Sequence, residues 1–181
     1  MSTRFVAIGN MSIDDLVFAD GSTKWAVPGG NAIYSALGMA VWGERPRVLA
    51  PRGPEYPIAV LGDRLVLGDG PMRERNLRNW GLYEEDGTRT FTFRTKTRNW
   101  IEYCPVPDDL GDETFPYCHI APLPWSRQTE FAEALRGKGA ALPMRLWSDG
   151  FHIREIPPRS AVACPLSGHA SALSISAAIA R

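Results

Sequence analysis

The side chains whose types and spacing could do chemistry are Asp14, five residues beyond Gly9, and the run Gly29-Gly30-Asn31. A carboxylate is acceptor-only and takes hydrogen bonds from hydroxyl or amide donors. Gly29 and Gly30 lack Cβ atoms, so a ligand can come close to the backbone there, and amides at a helix start face outward toward it. Asn31 offers both a donor and an acceptor. Taken singly, these residues have ordinary meanings: Asp14 and Asp15 as turn or cap residues, Gly29-Gly30 as a tight turn, Asn31 as a helix cap. Their joint spacing around one strand and one helix favours a binding site.

The elements that must position them follow from the apolar pattern. Phe5 to Ile8 is an unbroken apolar run ending at Gly9, as in a strand buried on both faces. Leu16-Val17-Phe18 and Trp25-Ala26-Val27 suit a small hairpin or half-exposed strands. Ile33, Ala36, Leu37, Ala40 and Val41 recur at helical spacing, with Asn31 as N-cap and Gly43 as the stop. Arg47 to Ala50 supplies the next strand, and strand, helix, strand predicts an α/β layer architecture. Pro51 to Asn79 has no clear period and accommodates one short helix. Leu82-Tyr83, the turn Glu85-Asp86-Gly87, and Arg89, Phe91 and Phe93 alternating with threonines predict an antiparallel hairpin, which Trp100 to Tyr103 would extend. Tyr117 to Ala121 is a further buried strand, and Ser126 caps a helix through Leu135 that Gly137 ends. Pro143 interrupts the next expected strand, and Ser167 to Ala180 has little apolar mass to hold a helix.

Composition narrows the function classes. Among 181 residues, 20 basic and 20 acidic side chains cancel, so no global field draws the chain to nucleic acid or anionic lipid, and the expected partner is a small molecule. No signal-like start and no bilayer-length apolar run is present, so a cytoplasmic location is expected. Cys104, Cys118 and Cys164 form no Cys-x-x-Cys pair and suit reduced thiols. The sequence holds no Gly-x-x-x-x-Gly-Lys-Ser/Thr loop, no Gly-x-Gly-x-x-Gly turn and no Gly-x-Ser-x-Gly elbow. His119, His152 and His169 do not fall at metal-ligand spacing with the cysteines, so no metal site is expected. Asp108-Asp109 and Asp112-Glu113 read as a solvated acidic face more readily than as a cation loop.

Gly9-Asn10-Met11-Ser12-Ile13-Asp14 and Pro28-Gly29-Gly30-Asn31-Ala32 resemble the amino-terminal part of the ribokinase/PfkB-type carbohydrate kinases. The likeness continues through Tyr83 to Arg89, similar to that family's second lid segment, and through His119 to Pro124, so it covers residues 4 to 136. The resemblance implies an incomplete ribokinase-like, Rossmann-like three-layer α/β/α domain with a small β-sheet lid. It implies that Asp14, Gly29, Gly30 and Asn31 bind the sugar, with Asp14 taking hydrogen bonds from two vicinal hydroxyls. Arg89 and Phe91 are possible lid contacts, although packing of Phe91 and Phe93 onto the core is the favoured reading. Many members carry a second Asn four residues beyond the second Gly, where this chain has Tyr34, so the acceptor need not be ribose.

Members also carry a Gly-Ala-Gly-Asp segment whose amides form an anion hole and whose Asp is the base, and this sequence contains none, so no catalytic residue is assigned. Residues 1–138 are expected to be the amino-terminal part of the kinase domain, with lid segments near 14–27 and 80–103, and 139–181 an atypical tail. The resemblance thus implies an ATP- and Mg2+-dependent sugar or nucleoside kinase of which the catalytic and nucleotide part is missing, by truncation, frameshift or a split gene. A non-catalytic polyol-binding module, or one that forms a homodimer through its lid, is the alternative. Were activity found, Asp149 would be the first base to test.

Overall fold

The computed structural model describes residues 3–68, 70–95 and 100–140. The expectations for Pro143, Asp149, Cys164 and the serine-rich tail lie outside the described residues.

Strand β1 (Phe5–Ile8) lies between β4 (Arg47–Leu49) and β7 (Tyr117–Ile120), and both neighbours run parallel to it. Its residues alternate between two apolar faces. Ala7, with Val48 and Ala50, packs against Ala32, Ile33 and Ala36 of helix α1 (Asn31–Val41). Val6 and Ile8, with Leu49, Cys118 and Ile120, pack against Phe131, Ala132 and Leu135 of helix α2 (Trp125–Gly137). A parallel sheet covered by a helix on each face is the three-layer arrangement expected from the apolar runs.

The second sheet has the order β3-β2-β5-β6, from β2 (Ser12–Val17), β3 (Thr23–Gly29), β5 (Leu77–Tyr83) and β6 (Arg89–Phe93). β2 pairs antiparallel with β3 and parallel with β5, while β5 and β6 form the antiparallel hairpin. The turn between β5 and β6 uses Gly87 at φ +82°, a conformation that favours glycine. Register places Ser12, Asp14, Leu77, Asn79, Gly81, Phe91 and Phe93 on one face and Ile13, Asp15, Arg78, Trp80 and Leu82 on the other.

Several local expectations are corrected. Asn31 is the first residue of α1 rather than its cap: Gly30 takes that position at φ +104°, and the Asn31 amide is used elsewhere. Pro124 precedes α2 where Ser126 was expected, and the positive φ beyond the helix belongs to Gly139, at +74°, with Gly137 still helical. Trp100–Tyr103 folds as a 3-10 turn and does not extend the hairpin. The short helix expected between Pro51 and Asn79 is 3-10 at Ile58–Arg64, kinked at Gly62, and β5 begins at Leu77, inside the stretch where no period was legible.

Candidate functional site

The end of β1, the start of α1 and the end of β7 converge, and Asn31 ties them together. Its Oδ1 accepts from the Asn10 amide at 2.7 Å, and its Nδ2 donates to the Pro122 carbonyl. Glycines make this approach possible. A Cβ on Gly9 would sit 2.3 Å from Asn31 Oδ1, and one on Gly30 would sit 2.3 Å from the Asn10 carbonyl oxygen. A Cβ on Gly29 would lie 2.1 Å from Asp14 Oδ2, so that carboxylate occupies space that only glycine leaves open. The Gly29 carbonyl accepts from the Tyr56 hydroxyl at 3.0 Å, which holds the turn from the far side.

Asp14 and Asp15 are neighbours on β2 and meet opposite environments because a strand sends successive side chains to opposite faces. Asp15 is fully buried and accepts from Arg78 Nε at 2.8 Å, Arg78 Nη2 at 2.9 Å, Arg94 Nη1 and the Ala26 amide at 3.0 Å. The Arg78 hydrogen bonds, reinforced by those from Ala26 and Arg94, hold its carboxyl well below the usual carboxylate range despite burial. Arg94 also stacks 4.5 Å above the Trp80 ring.

Asp14 is 5% exposed and has no cation against it. Ser12 Oγ and Asn79 Nδ2 both donate to its Oδ1, each at 3.0 Å, while Oδ2 accepts no hydrogen bond from the described residues. Burial raises the Asp14 pKa above the usual value, opposed by the bonds from Asn79 and Ser12 and assisted by the charge of Asp15. Tyr34 is half-buried nearby, and burial followed by the Asp14 charge raises its phenol.

A pocket of about 200 Å³ is lined by Asn10, Gly30 and Asn31 around the start of α1 and by Ser12, Leu77, Asn79 and Phe93 on one face of the small sheet. Of the residues expected at a site, Gly30 and Asn31 line it directly. Asp14 and Gly29 stand behind it, linked to the wall through Ser12 and Asn79. Arg89 and Phe91 lie further along β6 and do not line it, Phe91 packing edge-on to Tyr83 and Arg89 lying 5.8 Å from the Phe91 ring. Phe91 and Phe93 were expected to pack on the core, but they are 45% and 55% exposed, because β6 is an edge strand.

Sequence reasoning did not single out Asn79, Arg78 or Arg94. The available signal was the adjacent Asp14-Asp15 pair on a strand, since two buried carboxylates on opposite faces each demand donors. Two of the acidic residues of 108–113 serve local structure: Asp109 Oδ2 accepts from the Val106 amide at 2.8 Å, and Glu113 pairs with Arg47 at 2.5 Å. Among the described residues no group of three or more His, Cys, Asp or Glu could hold a metal ion.

No family model matches the sequence. The chain is 27% identical to a cytidine kinase of Thermococcus kodakarensis over 137 residues, which is 74% of this chain and 48% of that protein. The fold superposes on the fructokinase of Vibrio cholerae with a TM-score of 0.57 at 15% identity, covering 78% of this chain and 53% of that one. The adenosine kinase of Sinorhizobium meliloti gives a TM-score of 0.57 at 16% identity, covering 78% of this chain and 56% of that one. The chain therefore spans about half the length of the proteins it matches. The shared architecture is ribokinase-like, and it occurs here as part of that domain: the three-layer core with its small sheet. The resemblance to ribokinase/PfkB-type kinases carried by residues 9–14 and 28–32 stands on this footing.

Proposed function

We propose that residues 3–140 form the acceptor-binding part of a kinase that transfers the ATP γ-phosphoryl to a hydroxyl of a nucleoside or sugar. The observation that carries this reading is the free Asp14 Oδ2, held behind the pocket wall by Ser12 and Asn79 where Gly29 leaves room for it. A carboxylate oxygen with no donor of its own, on a residue that is only 5% exposed, is suited to take a ligand hydroxyl, since charge-assisted hydrogen bonds are the strong ones. The likeness to a cytidine kinase and to fructokinase and adenosine kinase structures supports the acceptor class.

In this reading the chain contributes positioning. Asp14 fixes the hydroxyls, Gly30 lets the ligand approach the backbone at the start of α1, and Leu77 and Phe93 offer it an apolar side. ATP and Mg2+ belong to the intact reaction, where the metal neutralises charge on the phosphates. The described residues fit neither: the pocket wall carries no cation, and no acidic cluster stands at it. No step of the proposal runs through them, and the base and anion hole come from a segment with the Gly-Ala-Gly-Asp function, which this sequence does not contain.

Calorimetric titration with pentoses, hexoses and nucleosides tests the reading. Asp14→Ala is expected to weaken binding about tenfold or more, the effect of losing one charge-assisted hydrogen bond. Equal affinity in both proteins removes Asp14 from the site.

The second reading, a module that dimerises through the small sheet, is favoured by one observation: Trp25, Leu82, Phe91 and Phe93 of that sheet are all 40% exposed or more. Light scattering then shows dimers that Phe91→Asp converts to monomers, and a wild-type chain that stays monomeric at high concentration refutes it.

A further inference from the structure

Asn79 carries an amide that the fold leaves half used. Its Nδ2 donates to Asp14 Oδ1 at 3.0 Å, while its own Oδ1 is buried and has no hydrogen-bond partner among the described residues. Flipping the amide would not relieve this, because it would turn a carbonyl oxygen onto the carboxylate and remove one of the two donors that Asp14 has. A buried acceptor without a donor is costly to keep, and native structures normally supply one. Asn79 lies on the pocket wall, on the same face of the small sheet as Asp14, and faces it directly across the β2–β5 ladder. Phe93, its partner across the β5–β6 ladder, lines the same pocket and is 55% exposed, so it does not close Asn79 off within the core.

We infer that Asn79 is a specificity-determining residue: its Oδ1 accepts a hydrogen bond from one hydroxyl of an uncharged polyol whose neighbouring hydroxyl donates to Asp14 Oδ2. The inference rests on the pocket being the acceptor site proposed above and adds the class of ligand it selects. Asp14 and Asn79 are ladder partners on one face of the sheet, and an unpartnered acceptor on each calls for two donors, which vicinal hydroxyls provide. The lining side chains are amides, a hydroxyl and apolar groups, with no cation, and the nearest formal charge behind them is the Asp14 carboxylate. A phosphate or carboxylate group entering here would meet acceptors and a like charge. Neutral nucleosides and sugars are therefore favoured over their phosphorylated or acidic forms.

The test is calorimetry on the full chain with cytidine and adenosine, their 2′-deoxy and 3′-deoxy forms, and their 5′-monophosphates. Wild type is expected to bind the parent nucleoside, to lose about tenfold when the hydroxyl that meets Asn79 is missing, and to bind the monophosphates more weakly still. Asn79→Leu is expected to bind the parent and that deoxy form equally. If Asn79 serves only to orient Asp14, the variant weakens both by the same factor and the ratio survives, which overturns the inference. Should the variant not fold, the wild-type arm still decides, because indifference to every deoxy form, or a preference for the monophosphates, is equally fatal. Wild type binding no nucleoside or sugar sinks the acceptor-site reading itself, whereas intact binding with an unchanged deoxy ratio sinks the role of Asn79 alone.

Discussion

The two sheets of this molecule are held by different physics. The parallel sheet β4-β1-β7 is buried on both faces among aliphatic and aromatic side chains, so its stability comes from apolar area removed from water. The sheet β3-β2-β5-β6 exposes every residue of its edge strand β6, and the group at its centre is a carboxylate with two guanidinium partners. Apolar burial is tolerant of which side chain does it. A buried ion pair is not, since loss of one partner strands the other charge. The small sheet therefore gains geometry more than stability from Asp15, and that geometry carries Asp14 and Asn79 on its opposite face.

The largest expected effect lies in the core. Phe131→Ala removes a fully buried ring from the α2 face and should cost about 3–5 kcal/mol, read as a lower urea midpoint. Asp15→Ala should cost less, about 2–3 kcal/mol, below the usual penalty for breaking a buried pair, because Arg78 and Arg94 are 36% and 34% exposed and water relieves them. Its signature is local. Amide exchange should quicken in β5 and β6 while β1 and β7 keep their protection, and uniform loss of protection would show that the two sheets unfold as one.

A smaller effect separates the two faces of β2. Asp14→Asn keeps the shape and removes a charge that is buried without a cation, so stability should hold or rise slightly, within about 0.5 kcal/mol, while nucleoside or sugar affinity falls. A fall in both would place Asp14 among the structural groups with Asp15.

The smallest effects are in pH, and the two carboxylates should respond in opposite senses. The folded pKa of Asp15 is depressed, so its contribution is present above the unfolded value of about 4 and is lost as pH falls toward the folded one. The folded pKa of Asp14 is raised, so the cost of burying its charge is absent below about 4, grows as pH rises from there and is fully present above the folded value. Ligand affinity that needs the ionised Asp14 should fall on acidification at a higher pH than an ordinary aspartate would give, before the Asp15 contribution is lost. Affinity that follows the unfolding curve would show that the two groups are not independent.

The sequence by itself determined the parallel sheet and α1, because runs such as Phe5 to Ile8 and the spacing of Ile33, Ala36 and Ala40 admit few alternatives once water is excluded. It also determined the β5–β6 turn, where Gly87 supplies the positive φ. The positions of Asp14, Gly29, Gly30 and Asn31 were legible through their spacing, although their contacts were not. Only the tertiary structure decided that Asn31 spends its amide on the Asn10 and Pro122 backbone, because both partners are remote in sequence. The start of β5 at Leu77 was hidden for a related reason. Arg78 and Asn79 break the apolar period, and they are tolerated in a strand because Asp14 lies directly beside Asn79 on β2 and Asp15, on the opposite face, is within reach of Arg78. A hydrogen bond between residues more than sixty positions apart leaves no local pattern, so the polar half of the site came into view only with the fold.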